Sequence, residues 1–389
     1  MTPADPAAGT TVRVLHVITG LEVGGAETTL LRLLGAWVGQ GIASAVVSLR
    51  PGGALRPAIE ALGISVTSAE LRGRPRLAGL AAVARRTRGF RPHVVQGWLV
   101  HGNLAALVAA AGARGAGRVP PVLWGVRAGL ADLGNEPRAT RAALRVSASL
   151  SRAATRVLYN AVRSAEEHEA IGYPADRRVV IPNGFDVDRF RPDPEARARV
   201  RGELGWEADV PVVGLLARDH PQKDLPTFLR AARRVASARP EVRFVLAGPG
   251  VDDRNVRLGA LVRELELGMH VRLLGARSDA PAVLAAFDVA SLCSRTEAFP
   301  NVVGEAMACG VVPVATDVGD VRTLVGDVGA VVPVGGADAL AEQWLRHLGR
   351  PPAERQRAAA AARARIVGHF SLGVAAERYA RLYREVGAC

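Results

Sequence analysis

The chain has almost no lysine. Lys223 is the only one among 50 lysines and arginines. A genome rich in arginine codons would convert ordinary surface sites to arginine. A position that keeps a compact ammonium on a flexible stem is therefore a candidate for a point-charge contact with phosphate or hydroxyl, which a planar guanidinium makes less easily. Aromatic residues are also scarce, at 4% of the chain. They form no stacking pattern of the kind that reads RNA, and the arginines show no zinc-finger spacing, so nucleic acid has only net charge in its favour. The three cysteines, Cys293, Cys309 and Cys389, are odd in number and lack C-x-x-C spacing. That excludes a disulfide framework and a cysteine zinc site, and fits a reducing cytosol. No apolar run is long enough to span a bilayer. The opening "MTPADPAAGTTVRVLHVITG" has no basic segment followed by an apolar core, so no signal peptide is expected there. A cytoplasmic protein is expected, one that meets a membrane, if at all, as a peripheral guest on its inner face.

What is present is a chain of 389 residues, 49% hydrophobic and rich in Val, Leu and Ala. That is enough for two or three domains with aliphatic strands and alanine-rich helices. A net charge of +13 points to an anionic partner, either a phosphorylated small molecule or a membrane surface. Short aliphatic runs recur, each followed by a turn and a longer helical segment: "VRVLHVIT", "IASAVVSL", "HVVQGWL", "PVLWGV", "RVLYN" and "RVVIPN". The series restarts with "VPVVGLLAR", "VRFVLAGPG", "HVRLLGA", "VASLCS", "VVPVATDV" and "AVVPV". Two sets of strand-helix units predict an α/β chain of two doubly wound Rossmann-like domains, residues 1–185 and 186–370, facing each other across a cleft. The segment "NGFDVDRFRPDPEARARV" is the natural connector. The tail 371–389 has helical spacing with Tyr379, Leu382 and Val386 on one side, and is expected to pack back on the first domain.

Three stretches carry chemistry. In "ITGLEVGGAETTLLRLL", Gly24 and Gly25 would let backbone amides reach an anion at a helix N-terminus, without the spacing of a dinucleotide fingerprint or a P-loop; a plain tight turn is the alternative. In "LLARDHPQKD", Arg218 and Lys223 stand on one loop at a strand's carboxyl end, where two cations could clamp a diphosphate. In "SRTEAFPNVVGEAMACG", seven residues separate Glu297 from Glu305. Phe299 and Pro300 interrupt any helix there, so the first carboxylate lies on a loop and the second inside the following helix. Either glutamate taken singly could be a capping or surface carboxylate. The backbone amides of Asn301, Val302 and Val303 suit a phosphate. The arginines at 138, 141, 145, 152 and 156 recur at helical intervals opposite Leu144 and Leu150. They read as a basic stripe that is either a solvated face or a docking surface for anionic lipid. Asp186 and Asp188 in the connector read as turn carboxylates.

Taken together, "GGAE", the Arg218–Lys223 spacing, "VIPNGFDVDRF", the E-x7-E block ending in "EAMACG" and "PVATDVGD" resemble the GT4 family of glycosyltransferases, of GT-B fold. The resemblance covers nearly the whole chain in order. It implies a retaining, metal-independent transfer of a hexose or N-acetylhexosamine from a nucleotide-diphosphate sugar, UDP foremost, with no cofactor. The acceptor would be a glycan, lipid-linked or small-molecule hydroxyl in surface-glycan or secondary-metabolite synthesis. It implies that Arg218 and Lys223 hold the diphosphate and Glu297 contacts the sugar. Gly24, Gly25, Phe299, Pro300, Asn301, Val302, Val303 and Glu305 would complete the donor site, with Glu305 on the ribose. In "GWLVHGNLAALV" it places His101 in the active site, and it assigns Arg127 and Asn183 to acceptor or interdomain contacts. Ala298 stands where the family often has glycine, and the proline of "GVVPVAT" comes one position late; neither change removes a charged group. A nucleotide-sugar epimerase or phosphorylase of the same fold, or a catalytically silent partner in a glycan assembly, are the rivals.

Overall fold

The computed structural model describes residues 11–69, 76–113, 119–130 and 138–388. It divides into two units, Met1–Gly184 with Leu372–Cys389, and Phe185–Ser371. The first unit carries strands β1 (Val12–Ile18), β2 (Ile42–Ser48), β3 (Val66–Ser68), β4 (Val94–Trp98), β5 (Val122–Val126), β6 (Arg156–Tyr159) and β7 (Arg178–Val180). Its helices are α1 (Gly25–Trp37), α2 (Arg56–Ala61), α3 (Arg76–Phe90), α4 (Leu99–Gly112), α5 (Arg138–Leu150) and α6 (Val162–Ala170). The second unit carries β8 (Val212–Leu216), β9 (Arg243–Ala247), β10 (Val271–Leu273), β11 (Val289–Leu292), β12 (Val312–Thr316) and β13 (Ala330–Val332). Its helices are α7 (Pro194–Glu203), α8 (Leu225–Ala238), α9 (Val256–Glu264), α10 (Ala280–Ala285), α11 (Asn301–Ala308), α12 (Val321–Val325), α13 (Ala337–Leu348) and α14 (Pro352–Phe370). The last helix, α15 (Leu372–Ala388), returns to the first unit, where Tyr379, Tyr383 and Val386 are buried in its core.

Both sheets are wholly parallel, in the orders β3-β2-β1-β4-β5-β6-β7 and β10-β9-β8-β11-β12-β13. Strands covered on both faces need apolar residues at nearly every position, which is why they read as continuous Val/Leu runs. The short β3 has only half-buried residues and gave no such run. In each sheet the strand order reverses at one place, between β1 and β4 and between β8 and β11. Chain connections leave in opposite directions there, which opens a crevice beyond the carboxyl ends of those strands. The loops after β1, β8 and β11 hold Gly24, Arg218 and Glu297, and His101 follows β4 on the first turn of α4.

Side chains alternate along β1: Val14 and Ile18 join one core layer, Leu15 and Val17 the other. The same alternation sends His16 into the first layer. There it is fully buried, stacks on Trp37 at 5.8 Å between ring centroids, and meets Trp98 and Tyr383. The Trp98 indole N–H donates to His16 Nδ1 at 3.2 Å. That nitrogen is therefore an acceptor, and the ring proton sits on Nε2, 3.4 Å from Ser44 Oγ. Burial pulls the imidazole down to about 3. The folded chain thus keeps His16 neutral at pH values where the unfolded chain binds a proton. Stability from this residue is complete above pH 6.5 and falls as the pH drops towards 3. We expect acid unfolding over that window to be blunted by up to about 3 kcal/mol in His16→Gln, compared as the change in stability between pH 7 and pH 4 in urea.

Candidate donor and acceptor sites

The second unit builds a polar cluster at its crevice. After β8 the chain turns through Arg218 into a single turn of 3-10 helix, Pro221–Lys223, and then through Asp224 in the left-handed region (φ 47°) into α8. Asp224 is buried and accepts from Arg295 Nε at 3.1 Å. The loop after β11 runs alongside: Arg295 N–H donates to the Gln222 carbonyl at 2.8 Å, and Gln222 Nε2 to the Thr296 carbonyl at 2.9 Å. These bonds fix Lys223 against Glu297, whose Oε1 receives both the ammonium and the Ser294 hydroxyl, the latter at 2.7 Å. The side chains of Lys223 and Glu297 keep 20% and 14% of their exposure. An incoming anion can therefore reach the ammonium, and Ser294 can hold the carboxylate when it does.

Two glycines set the backbone behind this cluster. Gly248 has φ +148°, and a Cβ there would lie 2.1 Å from the Ala217 carbonyl oxygen, just before Arg218. Gly319 has φ +49°, and its Cβ would lie 2.2 and 2.5 Å from the carbonyl oxygens of Ala298 and Glu297. The next amide, Asp320 N–H, donates to that Ala298 carbonyl at 3.0 Å. Arg218 is exposed at the strand end.

Pro300 precedes α11, whose first turn has no side-chain cap. The Val303 N–H donates to the Pro300 carbonyl at 3.2 Å, so that amide is already engaged. Phe299 is buried and packs its ring between Phe185 and Phe370, 6.2 and 6.1 Å away. Its side chain anchors the loop. Glu305 is half-buried on α11, one turn in from the helix start.

In the first unit Gly24 is the extended N-cap of α1, and Gly25 opens the helix with nothing within 4 Å of where a Cβ would stand. The fold itself does not require glycine at position 25. Glu27, on the first turn of α1, is half-buried; burial raises its carboxyl, opposed by its own backbone hydrogen bond and by Arg50. His101 is exposed on the first turn of α4, inside the helix rather than on a loop. The helix lies close on the sheet because Gly97 and Gly102 lack a side chain; a Cβ at either would come within 2.5 Å of Asn103 or the Val17 carbonyl. Asn103 bonds both the N–H and the carbonyl of Gly125, at 3.0 and 3.2 Å. Arg127 and Asn183 are brought together: the guanidinium donates to Asn183 Oδ1 and, at 2.6 Å, to Tyr379 Oη, and lies 4.9 Å over the Trp98 ring. Arg127 thus ties the strand ends to α15. Between them, after β6, Asn160 is 4% exposed with Oδ1 unbonded, and Thr19 Oγ1 after β1 is likewise buried and unbonded.

The basic stripe takes a different form from the one the spacing predicts. Helix α5 ends at Leu150, Arg152 lies in a 3-10 turn, and Arg156 begins β6, 3.9 Å from Glu385 of α15. Leu144 is buried, but Leu150 is 43% exposed. The arginines keep helical spacing past the helix end, seven residues from Arg145 to Arg152, and the turn that stops the helix, "SRA", contains neither Gly nor Pro to signal it.

Two Rossmann-like units, each built on a wholly parallel sheet with alternating helices, define the GT-B fold of glycosyltransferases. Residues 23–189 match the Glycosyltransferase Family 4 family and residues 210–350 match Glycosyl transferases group 1; the chain belongs to these group 1, family 4 glycosyltransferases. It is 35% identical over 253 residues to a D-inositol 3-phosphate glycosyltransferase of Kineococcus radiotolerans, covering 60% of this chain and 57% of that protein. It is 32% identical over 225 residues to a phosphatidyl-myo-inositol mannosyltransferase of Mycobacterium leprae, 56% of this chain and 55% of that one. The matches thus span little more than half the length of these curated relatives. Among solved structures, Anabaena Alr3699/HepE in complex with UDP superposes with a TM-score of 0.82 at 24% identity, over 96% of this chain and 100% of that one. Sucrose-phosphate synthase of Thermosynechococcus elongatus gives 0.78 at 20%, over 97% and 99%.

Proposed function

We propose that the protein transfers a hexose or N-acetylhexosamine from a UDP-sugar to an acceptor hydroxyl with retention of anomeric configuration. The observation that carries this reading is the Lys223–Glu297–Ser294 cluster at the β8/β11 crevice beside Arg218. Breaking a sugar–phosphate bond leaves negative charge on the departing diphosphate and positive charge on the sugar ring. The exposed Arg218 guanidinium and the Lys223 ammonium held beside Glu297 stabilise the first as it develops, and in this role they supply the charge that a divalent ion supplies elsewhere. The ammonium leaves Glu297 for the diphosphate, and the carboxylate, still held by Ser294, turns to the sugar hydroxyls. Glu305 takes the ribose. The amides of Asn301 and Val302, which follow Pro300, complete the phosphate cradle.

The first unit would receive the acceptor. There His101 stands at the switch point, and the unbonded oxygens of Thr19 and Asn160 offer acceptors for a polyol; Gly25, with nothing within 4 Å of its missing Cβ, leaves room at the start of α1 for the donor's anionic group. The relatives named above are described by an inositol 3-phosphate and a phosphatidylinositol, which supports a phosphate-bearing acceptor, free or lipid-linked, for this basic chain. Peripheral association with an anionic membrane belongs to the same proposal. Incubation with labelled nucleotide sugars and such acceptors should yield a product whose anomeric configuration, read by NMR, is that of the donor; an inverted product would overturn the mechanism. UDP should raise the melting temperature more than GDP or ADP. A nucleotide screen ranking them otherwise would remove the uridine assignment.

A further inference from the structure

An unassigned cavity lies in the first unit, at the surface of α5. A cleft of about 540 Å³ is lined by Arg141, Arg145 and Arg152 above a floor that includes Leu144, Ala148 and Ile171. That volume suits a small ligand group. Its lining contains three cations and no acid. None of the three arginines forms an ion pair among the described residues, although nearby acids find cations elsewhere: Glu169 pairs with Arg178 at 3.4 Å. A fourth guanidinium, Arg177, caps the Arg152 carbonyl and adds positive charge at that end. On the wheel of α5, Val146 follows Arg145 by about 100°, and Leu150 lies about 40° beyond Val146. The outward face therefore has an arginine row with an apolar row beside it. Val146, Leu150 and Ile171 are 51%, 43% and 42% exposed.

A soluble phosphate would need the cations but not the apolar row, and a nucleic acid would find no aromatic residue in the cleft to stack on. Cations and exposed aliphatics side by side fit the boundary of an anionic bilayer, where phosphate and hydrocarbon lie within a few ångströms of each other. We propose that this cleft is a phospholipid headgroup site: a lipid phosphate sits among Arg141, Arg145 and Arg152, while Val146, Leu150 and Ile171 enter the acyl boundary. The proposal deepens the membrane part of the proposed function and does not depend on catalytic turnover.

The test is cosedimentation of the full chain with phosphatidylcholine vesicles, with and without phosphatidylglycerol. Wild type should bind only the anionic vesicles. Arg145→Glu with Arg152→Glu should lower binding at least about tenfold. Val146→Asp with Leu150→Asp should also lower it. A control of equal charge change on α9 and its approach, Arg254→Glu with Arg263→Glu, should stay within about twofold. Failure of wild type to bind, equal loss in the control pair, or full competition by soluble glycerophosphate would each overturn the proposal. The melting shift with UDP is read on every variant. Lost vesicle binding with an intact UDP shift locates the defect in docking, whereas a missing UDP shift in wild type counts against the donor reading alone.

Discussion

Lys223→Ala is expected to lower kcat for sugar transfer by on the order of 10²–10³-fold, the usual cost of removing one preorganised group that meets charge developing in the transition state. The ammonium is held by a carboxylate on a 3-10 turn that opens with Pro221. Arg218 remains to bind the ground-state diphosphate, and the loss should fall on kcat more than on KM. Lys223→Arg keeps the charge but puts a wide fork beside Glu297 and the hydroxyl of Ser294; it should recover less than about a tenth of the activity. Glu297→Ala leaves the ammonium free for phosphate, so UDP should bind at least as well while transfer falls by a similar factor. Steady-state kinetics together with UDP titration separates the two roles. Unchanged turnover in both alanine variants would end the assignment.

Much of this cluster was legible in the chain because its members are the ones chemistry makes conspicuous. A single lysine among arginines, a second cation five positions before it, and two glutamates flanking a Phe-Pro break can all be read without coordinates. The strand runs were legible too, since a sheet buried on both faces must be written in continuous aliphatics. What escaped depends on contacts between distant segments. Ser294 looks like any serine until its hydroxyl is found on Glu297, and Asp224 until Arg295 reaches back to it. Arg127 reads as a free binding cation, yet its partners Asn183 and Tyr379 lie 56 and 252 residues away. Phe299 sits in the motif that carries both glutamates, but its ring belongs to an aromatic trio that only folding assembles. The α5 stripe was misread for a local reason: helical spacing of arginines persists through a turn that changes the helix type, and composition alone does not record that change.

Gly319→Ala carries the other large expected effect, and it acts without touching a charged group. The added methyl would stand 2.2 Å from one backbone oxygen and 2.5 Å from another, both on the loop that bears Glu297. Backbone cannot rotate aside as a side-chain tip can, so the loop must move. Overpacking and a positive φ together should cost roughly 2–4 kcal/mol in urea unfolding. A loop shift of about 1 Å should also lower turnover by about 10²-fold, because the carboxylate no longer faces the sugar. Gly248→Ala should behave alike from the other side, displacing the strand end before Arg218. Gly259, on α9, provides the contrast: nothing lies within 4 Å of its missing Cβ. There alanine should stabilise the helix by about 0.5–1 kcal/mol and leave transfer intact. If Gly319→Ala matched Gly259→Ala in stability and rate, the glycine would not be what positions the Glu297 loop, and the site's geometry would have to be held by its hydrogen bonds to Ser294 and Gln222 alone.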